Sequence, residues 1–336
     1  MKKALFFSHL RERVIKCELC PNYCVIADGK LGKCKVRKNI NGKLFSLVYA
    51  RPCSIAVDPI EKKPLYHFLP GSKTLSIATF GCNLACLHCQ NYEISQEFME
   101  REIEALPLVE PEKVVEKARE VGINIMCYTY TEPTIFYEYM VDIAKIARKQ
   151  GMKNVIVSNG YINEKPLRKL LPYLDAANID LKSISSKFYL KICKAKIEPI
   201  LNTIKIIAKS KAWLEITNLI IPGLNDSKAE ITKLIHFVYS IDKDIPLHFT
   251  AFFPSYKLID VMPTPQEILL YARKKAIEEG LHYVYAGNIS NVETNSTYCW
   301  KCNALLIKRI GFNVAENNLK NGKCHQCNTK IAGVWR

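Results

Sequence analysis

The sequence predicts an α/β protein: a partial parallel (βα)6-type, TIM-like barrel carrying a small cysteine-rich N-terminal module and a zinc-ribbon C-terminal module. Three observations lead there. Between residues 74 and 287, short β-branched runs alternate with amphipathic stretches; several of the runs have one polar face; and the cysteines gather in clusters at both ends and directly after the first core run. The chain of 336 residues divides on this reading into 1–70, a four-cysteine module and lead-in; 71–290, the barrel; and 291–336, the ribbon. Pro/Gly-rich 52–71 and polar 288–298 mark the boundaries.

The strands are expected near 74–80, 123–129, 154–159, 176–182, 213–220, 246–253 and 283–287, and the helices over 111–121, 134–150, 226–241 and 265–280. Pro111, Pro166 and Pro265 stand at or near helix starts, Asp226 and Ser227 form an N-cap, and Gly122, Gly151 and Gly280 follow helix ends. A fully packed barrel has strands that are apolar on both faces. Here Asn178, Asp180 and Lys182 share a face opposite Ile179 and Leu181, Glu215 and Thr217 oppose Leu214 and Ile216, and His248 and Thr250 oppose Leu247 and Phe249. If the apolar faces meet the helices, the polar faces line a lumen that holds a polar ligand.

Composition narrows the function. Lys+Arg number 48 against 32 Asp+Glu, a net charge of +16, and 49% of residues are hydrophobic, which excludes a disordered chain. No signal peptide is read at the start and no apolar run reaches the roughly 20 residues of a membrane span, so a soluble, cytoplasmic protein is expected. In such a compartment 14 cysteines point to metal ligation and not to disulfides. Between 182 and 211 eight lysines meet one acid, Glu198. Sparse aromatics there favour a solvated helix face, although nucleic acid stays open as a partner.

The central cluster is Gly81-Cys82-Asn83-Leu84-Ala85-Cys86-Leu87-His88-Cys89, directly after a strand, where barrel active sites lie. Three close thiolates can hold three irons of a [4Fe-4S] cube and leave the fourth open to a ligand. The alternative is zinc completed by His88 or Cys127. At the C-terminus, Cys299-x2-Cys302 and Cys324-x2-Cys327 enclose 21 residues around a hairpin-like segment, a zinc-ribbon pattern with rubredoxin-like iron as its rival. Asn303 and Asn328 sit where a knuckle needs positive φ. At the N-terminus, Cys17, Cys20, Cys24 and Cys34 fit zinc or a second Fe-S cluster equally well by count, and the lack of ferredoxin spacing inclines the reading to zinc. Cys53 reads as an available spare ligand, and Cys127 and Cys193 read as buried small hydrophobes.

Cys82-x3-Cys86-x2-Cys89 resembles the signature of radical S-adenosylmethionine (SAM) enzymes. Thr131-Glu132-Pro133 is similar to that family's Gly-Gly-Glu-Pro segment with both glycines replaced, by Tyr130 and Thr131. Ser158-Asn159-Gly160 resembles its Thr-Asn-Gly, and Asp180-Leu181-Lys182 resembles the Asp-x-Lys of pyruvate formate-lyase activating enzymes. Glu215-Ile216-Thr217 with the loop Ile221 to Asp226 resembles their fifth strand and loop. Asp58 to His67, Cys89-Gln90-Asn91, Tyr128 to Thr134 and both terminal cysteine modules resemble more closely the radical SAM member of the AmmeMemoRadiSam system. The resemblance implies a [4Fe-4S] cluster on Cys82, Cys86 and Cys89, and SAM held by Glu132, Ser158, Asn159, Asp180, Lys182 and Glu215, with His88 where the family packs an aromatic near adenine. It implies reductive SAM cleavage to a 5′-deoxyadenosyl radical and hydrogen abstraction from a macromolecular, expected to be protein, substrate. A one-electron reductant such as ferredoxin or flavodoxin and Memo-like or AMMECR-like partners follow from it too. The competing readings are an RNA-modifying radical SAM enzyme and a non-enzymatic zinc-binding interaction protein.

Overall fold

The computed structural model describes residues 1–336. Its centre is a sheet of eight strands: β1 (Ser54–Pro59), β2 (Lys73–Ala78), β3 (Ile125–Tyr128), β4 (Lys153–Ser158), β5 (Ala176–Asp180), β6 (Trp213–Ile220), β7 (Leu247–Ala251) and β8 (Val284–Gly287). They lie side by side in chain order, with β1 and β8 at the two edges. From β2 to β8 every pairing is parallel, and β1 runs antiparallel to β2. Parallel neighbours in sequence order, each joined by a crossover, wind the sheet steadily one way, and unpaired edges leave the barrel open. The parallel strands number seven, one more than the (βα)6 type supplies.

The helices between them are α1 (Pro111–Glu120), α2 (Tyr137–Lys149), α3 (Glu164–Leu170), α4 (Glu198–Ala208), α5 (Lys228–Ile241) and α6 (Gln266–Glu278). Each buries one stripe: Val114, Val115 and Ala118 in α1, Ile231, Leu234, Ile235 and Val238 in α5. Pro111 opens α1, Pro265 immediately precedes α6, and the Ser227 side chain accepts the Glu230 N–H as the α5 cap. The stretch read as one helix over 134–150 begins as a tight 3-10 turn, Pro133–Phe136, because the Glu132 carboxylate takes the Thr134 N–H. No helix is long and apolar enough to cross a membrane.

The lead-in does not stop at residue 70 as the sequence reading had it. Residues 54–59 pair in register with 73–78, so the expected boundary falls inside a hairpin of the main sheet. After β1 the chain turns into the lumen, where the Asn178 amide donates to the Pro64 carbonyl at 2.7 Å and Glu215 accepts from the Tyr66 and His67 N–H groups at 3.0 and 2.7 Å. Thr217 bonds Asn178 at 2.9 Å and His248 Nε2 lies 2.6 Å from Glu215. The polar strand faces therefore do line a lumen, and the protein's own segment fills its lower half.

Both cysteine modules dock on this frame. In the N-terminal module, two three-stranded antiparallel sheets are held to the barrel by Arg37, whose guanidinium makes two 3.0 Å bonds to Glu138 of α2, both side chains buried. In the ribbon, Thr297–Tyr298, Leu305–Ile310 and Asn313–Asn317 form a sheet. Its Arg309 reaches into the lumen, giving Nη2 to the Tyr66 carbonyl at 2.7 Å and standing 3.5 Å from buried Glu61. Cys299 and Cys327, and Cys302 and Cys324, pair at 3.6 Å, and the four sulfurs lie within 4.8 Å of one another. A tetrahedron with metal–sulfur bonds of about 2.3 Å has edges near that length. Asn303 and Asn328 carry φ of 58° and 59°, as the knuckle reading requires.

His67 shows how tightly the lumen is closed. Its Nδ1 lies 2.6 Å from the Ala332 carbonyl, which can only accept, and its Nε2 lies 2.6 Å from the Tyr285 hydroxyl. Burial pushes its pKa down to about 4, so at neutral pH the ring is uncharged, Nδ1 donating to the carbonyl and Nε2 accepting from the Tyr285 hydroxyl. Unfolded imidazole takes its proton near pH 6.5, so the unfolded chain binds one more proton than the folded one between about pH 6.5 and 4. Stability is full above that window and falls as pH drops through it, by about 1.4 kcal/mol per pH unit at most. Thermal melts at pH 7 and 5 should give a smaller loss for His67→Gln than for the wild type; equal losses would refute the assignment. Cys324→Ser should release about one metal ion per chain by elemental analysis and remove hydrogen-exchange protection from 297–336.

Candidate active site at the strand ends

The loop that follows β2 is built to hold its cysteines still. Gly81, at φ 97°, lies so close to the N-terminal module that a Cβ would stand 2.6 Å from the Cys34 carbonyl oxygen. The Ala85 and Leu87 N–H groups donate to Cys193 and Ile192 carbonyls at 3.1 and 3.0 Å, the Asn22 amide to the Asn83 carbonyl at 2.7 Å, and the Lys257 N–H to the Leu87 carbonyl at 2.9 Å. With its backbone groups paired this way, the loop is pre-shaped. Each sulfur also has a partner. Asn159 Nδ2 is 3.7 Å and the Leu84 nitrogen 3.5 Å from Cys82 Sγ, Ser95 Oγ is 3.1 Å from Cys89 Sγ, and the Cys193 thiol bonds Cys86.

These features test the fit of an iron–sulfur cluster. Burial pushes the thiols of Cys82 and Cys89 up, so a thiolate there calls for a metal in place of the proton. The bond from Cys193 is the main influence holding Cys86 down. Unlike the ribbon set, the three sulfurs do not close to the spacing of a zinc tetrahedron. Cys127, a proposed fourth zinc ligand, packs with Ile60, Leu65 and Phe68 in a separate apolar cluster, as a buried small hydrophobe should. His88 is buried with neither ring nitrogen hydrogen-bonded, and burial, with Lys182 adding to it, pushes its pKa down to about 3. A neutral, unpartnered ring within this loop, 6.3 Å from the Phe188 ring, suits an aromatic-like packing surface. The donor set fits the cluster.

Two further groups stand at the ends of neighbouring strands. Glu132, after β3, is fully buried; its Oε1 accepts from the Thr134 N–H at 3.0 Å, the Thr134 hydroxyl at 2.5 Å and the Ser158 hydroxyl at 2.8 Å, while Oε2 accepts only from the Asn159 N–H at 2.8 Å. A carboxylate has about four lone-pair sites, so Oε2 can take another donor. Burial pushes the Glu132 pKa up. Tyr130, standing where the related segment has glycine, does adopt the left-handed φ of 70°, and its hydroxyl bonds Asp58, which also binds Lys62 and Lys63 at 2.8 Å. At the end of β5, Lys182 Nζ bonds Asp180 at 2.9 Å. Burial works to lower the lysine pKa, and Asp180 overrides it and holds it well above the usual value.

Cys82, Cys86, Cys89, Glu132, Ser158 and Asn159 thus form one connected assembly, with Asp180, Lys182 and His88 beside it. Glu215 does not join them. It lies lower in the lumen with Tyr66, His67, Trp213 and His248 donating to it, so the expectation that it contacts a cofactor is corrected: its acceptor sites are taken by the chain itself. Sequence reasoning missed Cys193, which was read as filler. A single π-helical turn, Tyr189–Cys193, ending at Lys194 with φ 57°, swings it against Cys86, and nothing in hydrophobic periodicity announces that turn. Asn83 and Ser95, which orient the loop, were visible only as polar residues near the motif. Above β7 and β8 a cavity of about 250 Å³ opens among Glu61, Tyr66, His248, Thr250, Tyr285 and the ribbon's Phe312.

Residues 76–238 match the model of the Radical SAM superfamily. The chain is 48% identical to "Uncharacterized protein MJ0808" of Methanocaldococcus jannaschii over 98% of its own length and 99% of that protein. It is 25% identical to the pyruvate formate-lyase-activating enzyme of Staphylococcus epidermidis, over 52% of this chain and 71% of the relative. Against the crystal structure of Streptococcus suis SuiB bound to S-adenosylmethionine the TM-score is 0.52 at 12% identity, covering 68% of this chain and 53% of that one, a likeness of fold. Signature, family model and relatives agree: the chain belongs to the radical SAM superfamily, is similar in sequence to pyruvate formate-lyase-activating enzymes, and is an enzyme of radical SAM type.

Proposed function

We propose that this enzyme acts on a protein, in the manner of a glycyl-radical activase, with Cys82, Cys86 and Cys89 holding a [4Fe-4S] cluster and SAM bound across the ends of β3 to β5. When bound, cluster and SAM supply one-electron cleavage of the SAM C–S bond and a 5′-deoxyadenosyl radical that takes a hydrogen atom from the substrate. The observation that carries the reading is the join between the cysteine loop and the Glu132 cluster, made by Asn159: its amide donates to Asn83 Oδ1 at 2.9 Å and approaches Cys82, while its N–H holds Glu132.

The chain's residues then divide the work. Glu132 Oε2 accepts the SAM ammonium, with Ser158 and Thr134 keeping the carboxylate in place. Lys182, kept cationic by Asp180, donates to the SAM carboxylate. His88 packs its neutral ring near the adenine, and the cavity under Phe312 receives the substrate residue. Exposed Phe253, Ile259 and Met262, on the segment whose Lys257 grips the cysteine loop, give a protein partner apolar surface. Relatives named as activating enzymes support a protein substrate. A ferredoxin- or flavodoxin-type one-electron donor completes the reaction, and Memo-like and AMMECR-like partners follow from the resemblance of the whole chain.

Under anaerobic, reducing conditions the wild type should release 5′-deoxyadenosine from SAM. Cys82→Ala should lower the rate at least about 100-fold, and Lys182→Ala should raise the KM for SAM about tenfold, a loss of about 1.4 kcal/mol in binding. Glu215→Gln, if it folds, should leave that KM within about twofold. No 5′-deoxyadenosine from a protein loaded with iron and sulfide would overturn the reading.

A further inference from the structure

Cys17 ends one strand, Cys20 and Cys24 flank the turn after it, and Cys34 lies on the turn before Arg37–Ile40. All four are unpaired as disulfides and none is exposed. A backbone N–H is aimed at every sulfur: Leu19 at Cys17, Asn22 at Cys20, Lys33 at Cys24 at 3.4 Å, and Val36 at Cys34. The Asn22 side-chain amide adds a second contact to Cys20 at 3.6 Å. Three buried sulfurs and one half-buried, that of Cys24, each facing N–H groups, are the setting of metal-bound thiolates.

The arrangement of those sulfurs differs from that of the ribbon set. Zinc draws four thiolates onto one ion, and the C-terminal four already stand at that tetrahedral distance, 3.6 Å across two pairs. A cubane puts each thiolate on its own iron, at corners of a larger body. No three of Cys17, Cys20, Cys24 and Cys34 gather within the 4.8 Å that encloses the ribbon set, and in this they match Cys82, Cys86 and Cys89. The location points the same way. Cys34's carbonyl oxygen abuts Gly81, next to Cys82, Asn22 holds the Asn83 carbonyl at 2.7 Å, and Lys33 Nζ holds the Lys194 carbonyl, one residue beyond Cys193, at 2.7 Å.

We propose that Cys17, Cys20, Cys24 and Cys34 hold a second iron–sulfur cluster in direct structural contact with the loop of the first, reversing the inclination to zinc that spacing in the sequence suggests. Placed there it would accept one electron from an external one-electron protein carrier, falling by one unit of charge, and would pass that electron on to the neighbouring cluster, with no bond made or broken. That use rests on the function proposed above; the identity of the metal does not.

The test is metal analysis of full-length protein purified anaerobically from iron-supplied cells without later reconstitution. The variant Cys82→Ala/Cys86→Ala/Cys89→Ala should keep about four iron and four sulfide per chain beside about one zinc, and stay brown. Adding Cys17→Ser and Cys24→Ser should remove that iron and leave the zinc. Two zinc and no iron in the triple variant, or an empty N-terminal site, would overturn the proposal. Should the triple variant not fold, the wild type decides: about eight iron and one zinc supports it, about four iron and two zinc refutes it. In the reduced wild type, the electron paramagnetic resonance signal should be broader than the sum of the two single-site variants, because adjacent spins couple. A simple sum would exclude the electron-relay placement. Iron lost with Cys17→Ser but unchanged in the triple variant would sink the function proposed above and leave the second site standing.

Discussion

The carboxylate of Glu215 is the constraint on which the rest of the molecule is hung. It is wholly buried, and taking a charge out of water costs several kcal/mol unless bonds replace the lost hydration. Four donors do so: the Tyr66 and His67 N–H groups, the Trp213 indole at 3.0 Å and His248. Burial alone would raise its pKa, yet the His248 contact outweighs it and the group stays more acidic than usual. Two of those donors belong to the lead-in, so the charge on β6 fixes a segment some 150 residues away in sequence within the lumen. Once held, that segment offers the Tyr66 carbonyl to Arg309, and the His67 ring and carbonyl to Ala332, Tyr285 and Val334. The C-terminal module is thereby tied to the barrel through a peptide that the barrel itself has trapped.

The consequence for chemistry is a lumen divided by height. Below, the polar strand faces are satisfied by the chain. Above, at the strand ends, polar groups are arranged around an acceptor with spare capacity, Glu132 Oε2, and around thiols that burial makes reluctant to ionise without a metal. Tyr130 shows that this arrangement is imposed. A left-handed tyrosine costs about 1–2 kcal/mol over glycine, and it is kept there by Asp58, with Lys63 4.3 Å from its ring centroid. Backbone geometry that glycine reaches freely is reached here through side-chain contacts with the lead-in.

Much of this was legible in the sequence because it depends on local repetition. Alternating faces gave the lumen, proline and glycine punctuated the helices, and the three-then-two spacing of Cys82, Cys86 and Cys89 located the site. What was illegible depends on pairing between distant segments. Residues 54–59 carry no strand signal beyond a short apolar run, and the partner that makes them a strand lies across a turn full of proline and glycine. Glu215 looks the same whether its donors come from a ligand or from Tyr66 and His67; only the fold of the lead-in decides between them. Cys193 needed a π-helical turn to bring it to Cys86. Local pattern finds the stage, and long-range contacts assign the parts.

The C-terminal ribbon illustrates why domain boundaries drawn from composition mislead about function. As a sequence it is a separable segment with a zinc-ribbon pattern. In the structure its hairpin turn, Gly311 and Phe312, lines the cavity above β7 and β8, and Arg309 on the strand leading to that turn is fully buried beside Glu61, its guanidinium 4.2 Å from the Tyr66 ring centroid. A buried arginine leaves that position only at the cost of an uncompensated Glu61 and three lost bonds to Tyr66, Thr297 and Asn295. The hairpin is therefore registered to the barrel, and a metal bound by the four ribbon cysteines would also fix one wall of the cavity. Any metal held by Cys299, Cys302, Cys324 and Cys327 and the shape of the cavity beside Phe312 are thus coupled through Arg309.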